Sequence, residues 1–168
     1  PLAEGEKINA ILPIKEFADD HYVFFCTSQG TVKKTPLSDF SRPMKRGIIA
    51  VDLDEGDYLI GVAITDGQSQ IMLCSDEGTA VRFDEDEVRA MGRGARGVRG
   101  MKLGEGAQVI SLMVVASDEL FVLTATENGY GKRTLVSEYR HSGRGTQGVI
   151  AIDTSERNGK LVAATLVE

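Results

Sequence analysis

The sequence predicts an all-β, propeller-like fold, and three observations predict it. First, the chain repeats itself about every 50 residues, a period that marks propellers and arrays in which one unit is one small sheet. Cys26-Thr27-Ser28-Gln29-Gly30-Thr31-Val32-Lys33-Lys34 returns as Cys74-Ser75-Asp76-Glu77-Gly78-Thr79-Ala80-Val81-Arg82, and again as Ala125-Thr126-Glu127-Asn128-Gly129-Tyr130-Gly131-Lys132-Arg133. Second, other landmarks keep the same step: Arg46-Gly47-Ile48, Arg96-Gly97-Val98 and Gln147-Gly148-Val149, with Leu53-Asp54-Glu55-Gly56 against Leu103-Gly104-Glu105-Gly106. Third, each period holds four short apolar or β-branched runs bounded by turns, and no stretch long enough for a stable helix.

In the first repeat, Tyr22–Thr27 is apolar and aromatic and ends at the turn Ser28-Gln29-Gly30. Thr31–Thr35 follows, then a polar loop through Pro36, Pro43 and Gly47. Ile48–Leu53 is the expected third strand and Tyr58–Thr65 the fourth, joined by the turn at Glu55-Gly56-Asp57. The second repeat gives Gln70–Cys74, Thr79–Phe83, Val98–Leu103 and Gln108–Val115; the third gives Leu120–Thr124, Gly131–Leu135, Val149–Asp153 and Lys160–Leu166. Leu37–Phe40, Glu85–Met91 and Val136–Tyr139 each suit a single helical turn.

Residues 1–20 match the end of a repeat, with Ile8–Ile14 as an orphan fourth strand. The expected organisation is one domain fragment: 1–20 closing a preceding blade, then repeats at 21–67, 68–119 and 120–168. Propellers close with about four to eight blades, so three leave an incomplete ring and imply a longer parent chain.

The 168 residues carry a net charge of −6, which taken as a sum argues against nucleic acid. The distribution argues the other way. Arg89, Arg93, Arg96, Arg99 and Lys102 follow one another with no acid between them. From Gly30 to Gly47 the first repeat has Lys33, Lys34, Arg42, Lys45 and Arg46 against Asp39 alone, and from Gly129 to Gly148 the third has Lys132, Arg133, Arg140 and Arg144 against Glu138. Acids gather elsewhere, at Asp52–Asp57 and Asp84–Glu87. Screening over about 8–10 Å lets such patches act separately.

Cys26 and Cys74 share a repeat slot that Ala125 fills in the third unit, which reads as a small buried strand residue and suits a reducing cytoplasm. There is no signal-peptide pattern at the start and no apolar run long enough to span a membrane. His21 and His141 sit at unrelated repeat positions, and no nucleophile elbow or metal-ligand spacing is present, so no catalytic or metal residue is expected here.

Gly92-Arg93-Gly94-Ala95-Arg96-Gly97 and Gly143-Arg144-Gly145-Thr146-Gln147-Gly148 both fit G-x-G-x-x-G. A dinucleotide site needs that motif between a strand and a helix, whereas each match here leads into a β-branched strand. Glycine alternating with arginine suits another ligand: small residues let a polyanion approach the backbone, and guanidinium groups grip phosphate without reading bases. A merely solvated loop is the plain alternative.

Gly30-Thr31-Val32-Lys33-Lys34-Thr35, Val88-Arg89-Ala90-Met91-Gly92, Gly97-Val98-Arg99-Gly100 and Asn128-Gly129-Tyr130-Gly131-Lys132-Arg133-Thr134 closely resemble the C-terminal domain of the bacterial DNA gyrase A protein, along essentially the whole chain. The resemblance implies a β-pinwheel, a propeller-like ring in which neighbouring blades exchange a strand, here about three four-stranded blades plus one orphan strand. It also implies duplex DNA wrapped on a basic outer rim, supporting negative supercoiling by a bacterial, chromosome-associated enzyme. The other partners would be the rest of the gyrase A protein, and the gyrase B protein in the holoenzyme. No cofactor is implied for this chain; ATP and Mg2+ would act at sites elsewhere. The family's heptapeptide Q-R-R-G-G-K-G is absent, as expected of a piece lacking the first blade.

The residues expected to meet phosphate are Lys33, Lys34, Lys45, Arg46, Arg93, Arg96, Arg99, Lys102, Lys132, Arg133 and Arg144, with Arg82 and Arg89 as secondary candidates. Two other readings remain: the equivalent domain of topoisomerase IV, and a propeller-like scaffold for proteins.

Overall fold

Eleven strands and three single 3-10 turns make up the regular structure of the computed structural model, which describes residues 4, 11–42, 48 and 50–168. The strands are β1 Tyr22–Thr27, β2 Thr31–Pro36, β3 Leu59–Thr65, β4 Gln70–Ser75, β5 Thr79–Asp84, β6 Val98–Arg99, β7 Val109–Val115, β8 Phe121–Thr126, β9 Gly131–Leu135, β10 Val149–Ile150 and β11 Leu161–Val167. The turns are Leu37–Phe40, Glu85–Glu87 and Val136–Glu138, one directly after the second strand of each repeat.

These strands build three antiparallel sheets with the orders β3-β1-β2-β6, β10-β5-β4-β7 and β11-β8-β9. The fourth strand of the first sheet comes from the second repeat, and that of the second sheet from the third. Val98 pairs with Val32 and Arg99 with Thr31; Val149 pairs with Ala80 and Ile150 with Thr79. Neighbouring repeats are thus stitched by an exchanged strand, and among the described residues no sheet closes on itself.

The main cores lie between successive sheets. Side chains alternate along a strand, so a strand buried on both faces reads as one continuous apolar run. In β4, Ile71 and Leu73 join Phe24, Cys26 and Val32 of the first repeat, while Met72 and Cys74 join Val122, Val136 and Leu161 of the third. Both cysteines are buried and unbridged, as their repeat slot predicts. Burial pushes the Cys74 thiol up to about 12 and raises that of Cys26 as well.

Two expectations change. The third strands predicted as Val98–Leu103 and Val149–Asp153 shrink to two residues each and pair with the preceding repeat. The reason is visible in the backbone. The amides of Gly100 and Met101 both donate to the Gly30 carbonyl, and those of Ala151 and Ile152 to Gly78, so the chain caps a hairpin instead of extending the ladder. Ile48 and residues 50–53 form no strand, and neither do residues 11–14 of the expected orphan strand; the remainder of that orphan strand lies outside the described residues.

Candidate nucleic-acid interface

Each glycine-arginine loop enters its exchanged strand through a glycine pressed on the repeat before it. Gly97 has φ +98°, and a Cβ there would lie 2.5 Å from the Val32 carbonyl oxygen; Gly148, φ +79°, meets the Ala80 carbonyl in the same way. A side chain at either position would hold the strand off its partner and force a left-handed backbone on an L residue. The last glycine of each G-x-G-x-x-G match is therefore explained by strand exchange.

Lys33 and Lys34, expected on the rim, are only 1% and 6% exposed and are not rim residues. The Lys33 ammonium donates to the carbonyls of Ala50 at 2.8 Å and Arg93 at 2.5 Å. Burial, helped by the nearby Arg93 charge and opposed by Asp52, holds the Lys33 pKa below the usual lysine value. Lys34 donates to the carbonyl of Glu85 at 3.1 Å and lies 3.8 Å from its carboxylate, which also accepts from Thr65 Oγ1 (2.6 Å) and the Ser69 amide (2.7 Å).

Arg82 is equally enclosed. Its Nη1 donates to the carbonyls of Val136 and Tyr139 at 3.0 Å each, its Nε to Gln70 at 2.9 Å, and its Nη2 to Gln70 and Asp118. A buried cation is tolerable only when its donors are satisfied, and a guanidinium fork does this in several directions at once. Arg144 spans two loops: its Nε donates to the Glu87 carbonyl and its Nη1 to that of Arg99.

Of the residues expected to meet phosphate, Arg89, Arg96, Arg99, Lys102, Lys132 and Arg133 face solvent, and Arg93 is half-buried. Arg96 pairs with Asp54 at 2.9 Å, both side chains well exposed, a contact worth little in water. Among the described residues, the side chains of Arg89, Arg99 and Lys102 make no hydrogen bond or ion pair. Lys45 and Arg46 lie outside the described residues.

Glu85 and Asp118 were missed as partners of buried cations. Glu85 carried a signal, because a carboxylate stands in the slot that Leu37 and Val136 fill with apolar side chains. Among the described residues, no group of His, Cys, Asp and Glu is placed to hold a metal ion. Among them too, no helix is long and apolar enough to cross a membrane.

Comparison with known proteins follows the same three units. The family model described as DNA gyrase C-terminal domain, beta-propeller, matches residues 21–66, 69–116 and 121–168. The whole chain is 55% identical to part of the DNA gyrase A protein of Klebsiella oxytoca and 52% identical to that of Escherichia coli K12, covering 19% of each protein. Among solved structures, a C-terminal domain of DNA topoisomerase IV superposes with a TM-score of 0.92 at 28% identity, all of this chain covering 53% of that one. A DNA gyrase A C-terminal domain gives 0.86 at 30% identity, with 99% of this chain covering 56% of that one. The repeats, the exchanged strands and the sequence match agree: this chain belongs to the DNA gyrase C-terminal domain family.

Proposed function

We propose that this chain binds duplex DNA without sequence preference and bends it along the glycine-arginine loops, as the wrapping portion of a gyrase-type type II topoisomerase. The observation that carries this is the run from Arg89 to Lys102: five cations with no acid between them, most of them exposed, on a loop anchored to the preceding repeat. Arg93, Arg96, Arg99 and Lys102 are the phosphate contacts in this reading, joined by Lys45 and Arg46 in the first repeat.

Bending 20–30 base pairs by 40–90° costs roughly 1–6 kcal/mol, offset by released counterions and by the contacts that the bend allows. Strand breakage and ATP-driven passage, with Mg2+, belong to other parts of the parent protein and to the gyrase B protein. The fold likeness to topoisomerase IV favours a second reading, in which the same surface binds DNA with less wrapping.

The test is titration with a random-sequence duplex of about 40 base pairs at several salt concentrations, comparing the chain with its R96A/R99A/K102A variant. Each lost phosphate contact should reduce the slope of log K against log salt by about 0.9. Binding that ignores salt, or that the triple variant leaves unchanged, refutes the reading. Ligation of nicked plasmid on the protein separates the two topoisomerase readings by the size and sign of the linking-number change.

A further inference from the structure

We propose that Arg144 is a positioning residue for DNA binding: it fixes the main chain of Arg99 to Lys102, one repeat back, so that those two exposed cations meet phosphate, and it is not a phosphate contact itself. The proposal rests on the DNA reading above and deepens it. It also gives the second G-x-G-x-x-G match, Gly143–Gly148, a task of its own.

The two glycine-arginine loops are in register, because Val98 and Val149 take the same place in the sheets they join. From Gly92 to Lys102 the second repeat carries Arg93, Arg96, Arg99 and Lys102 and no acid. From Gly143 to Asp153 the third repeat keeps the motif's glycines and Arg144, but its other cations are gone. Gln147 stands in the slot of Arg96, Ile150 in that of Arg99 and Asp153 in that of Lys102. Arg144 and Asp153 cancel, so this loop has lost the charge that attracts a polyanion. Its backbone entry is kept: Gly148 meets the repeat before it as Gly97 does.

What the third loop holds is the second loop. Arg144 Nη1 donates to the Arg99 carbonyl at 2.8 Å, its Nε to the Glu87 carbonyl at 2.9 Å, and its amide to the Glu87 carboxylate at 3.2 Å. The Gly145 amide donates to the Gly100 carbonyl at 2.8 Å, and the Thr146 carbonyl accepts from the Lys102 amide at 2.9 Å. Thr146 Oγ1 closes the loop on the Gly143 carbonyl at 2.9 Å. Residues 144, 145 and 146 thus take hold of 99, 100 and 102 in turn.

The first repeat grips the same loop from the other side, through Lys33 on the Arg93 carbonyl and the Gly30 carbonyl on the amides of Gly100 and Met101. The backbone under Arg99 and Lys102 is therefore fixed by both neighbours, while their side chains stay exposed. Ordering a loop at the moment of binding costs affinity, and a loop ordered beforehand avoids that cost. Bonds from a guanidinium are charge-assisted, and its planar fork reaches two carbonyls at once, which suits Arg144 to fixing a main chain.

The test uses the whole protein that carries this segment, with R144M, R99A/K102A and the combined variant. Without DNA, the amides of Lys102 and Gly145 should exchange about 10-fold faster in R144M, while those of β4 keep their protection. Unaltered exchange at Lys102 and Gly145 would overturn the proposal. With a random-sequence duplex, R144M should weaken binding about 2- to 10-fold when Arg99 and Lys102 are present, and should cost nothing more in the R99A/K102A background. An equal loss in both backgrounds, with the salt slope reduced by a further 0.9 or so, would make Arg144 a phosphate contact and overturn the proposal. R144K keeps the charge and loses the fork: wild-type affinity in an R144K protein whose Lys102 amide exchanges fast would likewise count against positioning. R99A/K102A alone reports on the DNA reading, since unchanged affinity there refutes that reading whatever the amides do.

Discussion

The Lys33 ammonium stands 2.5 Å from the main-chain oxygen of Arg93, 60 residues further along the chain and one repeat away. A buried cation in one sheet thereby positions the loop that carries the exposed arginines of the next. Charge at position 33 acts on the loop through its backbone and not on a ligand.

This contact has a pH signature. Burial lowers the Lys33 pKa in the folded chain below its ordinary 10.5. Between the lowered value and 10.5 the unfolded chain holds more protons than the folded one, so stability contributed by this group rises with pH through that window. Urea midpoints of wild type and K33M, measured from neutral pH upward, should show the wild type gaining on the variant as the pH approaches 10.5. Parallel curves would contradict this assignment.

Glu85 closes a second junction between the first two repeats. E85A removes the acceptor of Thr65 and Ser69 and leaves the Lys34 ammonium buried without its carboxylate. Removing one member of a buried pair costs about 3–5 kcal/mol, and that loss should appear in urea unfolding. E85Q keeps an amide oxygen for the two donors and should lose less.

Glycine positions separate strand exchange from loop flexibility. G97A and G148A place a Cβ against a neighbouring carbonyl at positive φ, and each should lose more than about 1 kcal/mol of stability. G92A meets nothing within 4 Å and should stay within about 0.5 kcal/mol of wild type. Thermal unfolding of the three variants checks the ranking.

Cys26 and Cys74 are buried, and their raised pKa values keep them protonated. A thiol reagent at pH 8 should leave both unmodified in the native chain and modify both in urea. For Cys74 the unfolded thiol ionises from about 9 while the folded one holds its proton to about 12, so its contribution to stability is complete below 9 and falls through that interval.

Strands that pair with their sequence neighbours were legible. Tyr22–Thr27, Gly131–Leu135 and the turn Leu37–Phe40 are found where apolar pattern and turn residues place them. Local pattern carries such elements because a hairpin's partners lie within a few residues. The exchanged strand was legible as a β-branched segment, but its length and sheet depend on Gly30 and Gly78 in the repeat before. The cations were hardest to read. Lysine in a strand reads as solvent-facing because burying its charge is costly, and the carbonyls that help make Lys33, Lys34 and Arg82 interior include ones supplied by residues 50 to 60 positions away. Arg99 and Lys102, which have no such partners among the described residues, are exposed as the charge pattern suggested.

The exchanged strands also put the genetic unit and the mechanical unit out of step. Val98 and Arg99 are encoded with the second repeat, yet they ride on the first sheet. Whatever tilts one sheet against its neighbour drags the neighbour's arginine loop with it, so the path of any long ligand laid across these loops is set by the angle at each junction. Lesions should be felt in the same displaced way: damage to one unit's glycine loop frays the sheet upstream of it, and splicing whole units in or out preserves every joint only if the cut falls between an exchanged strand and the turn that follows.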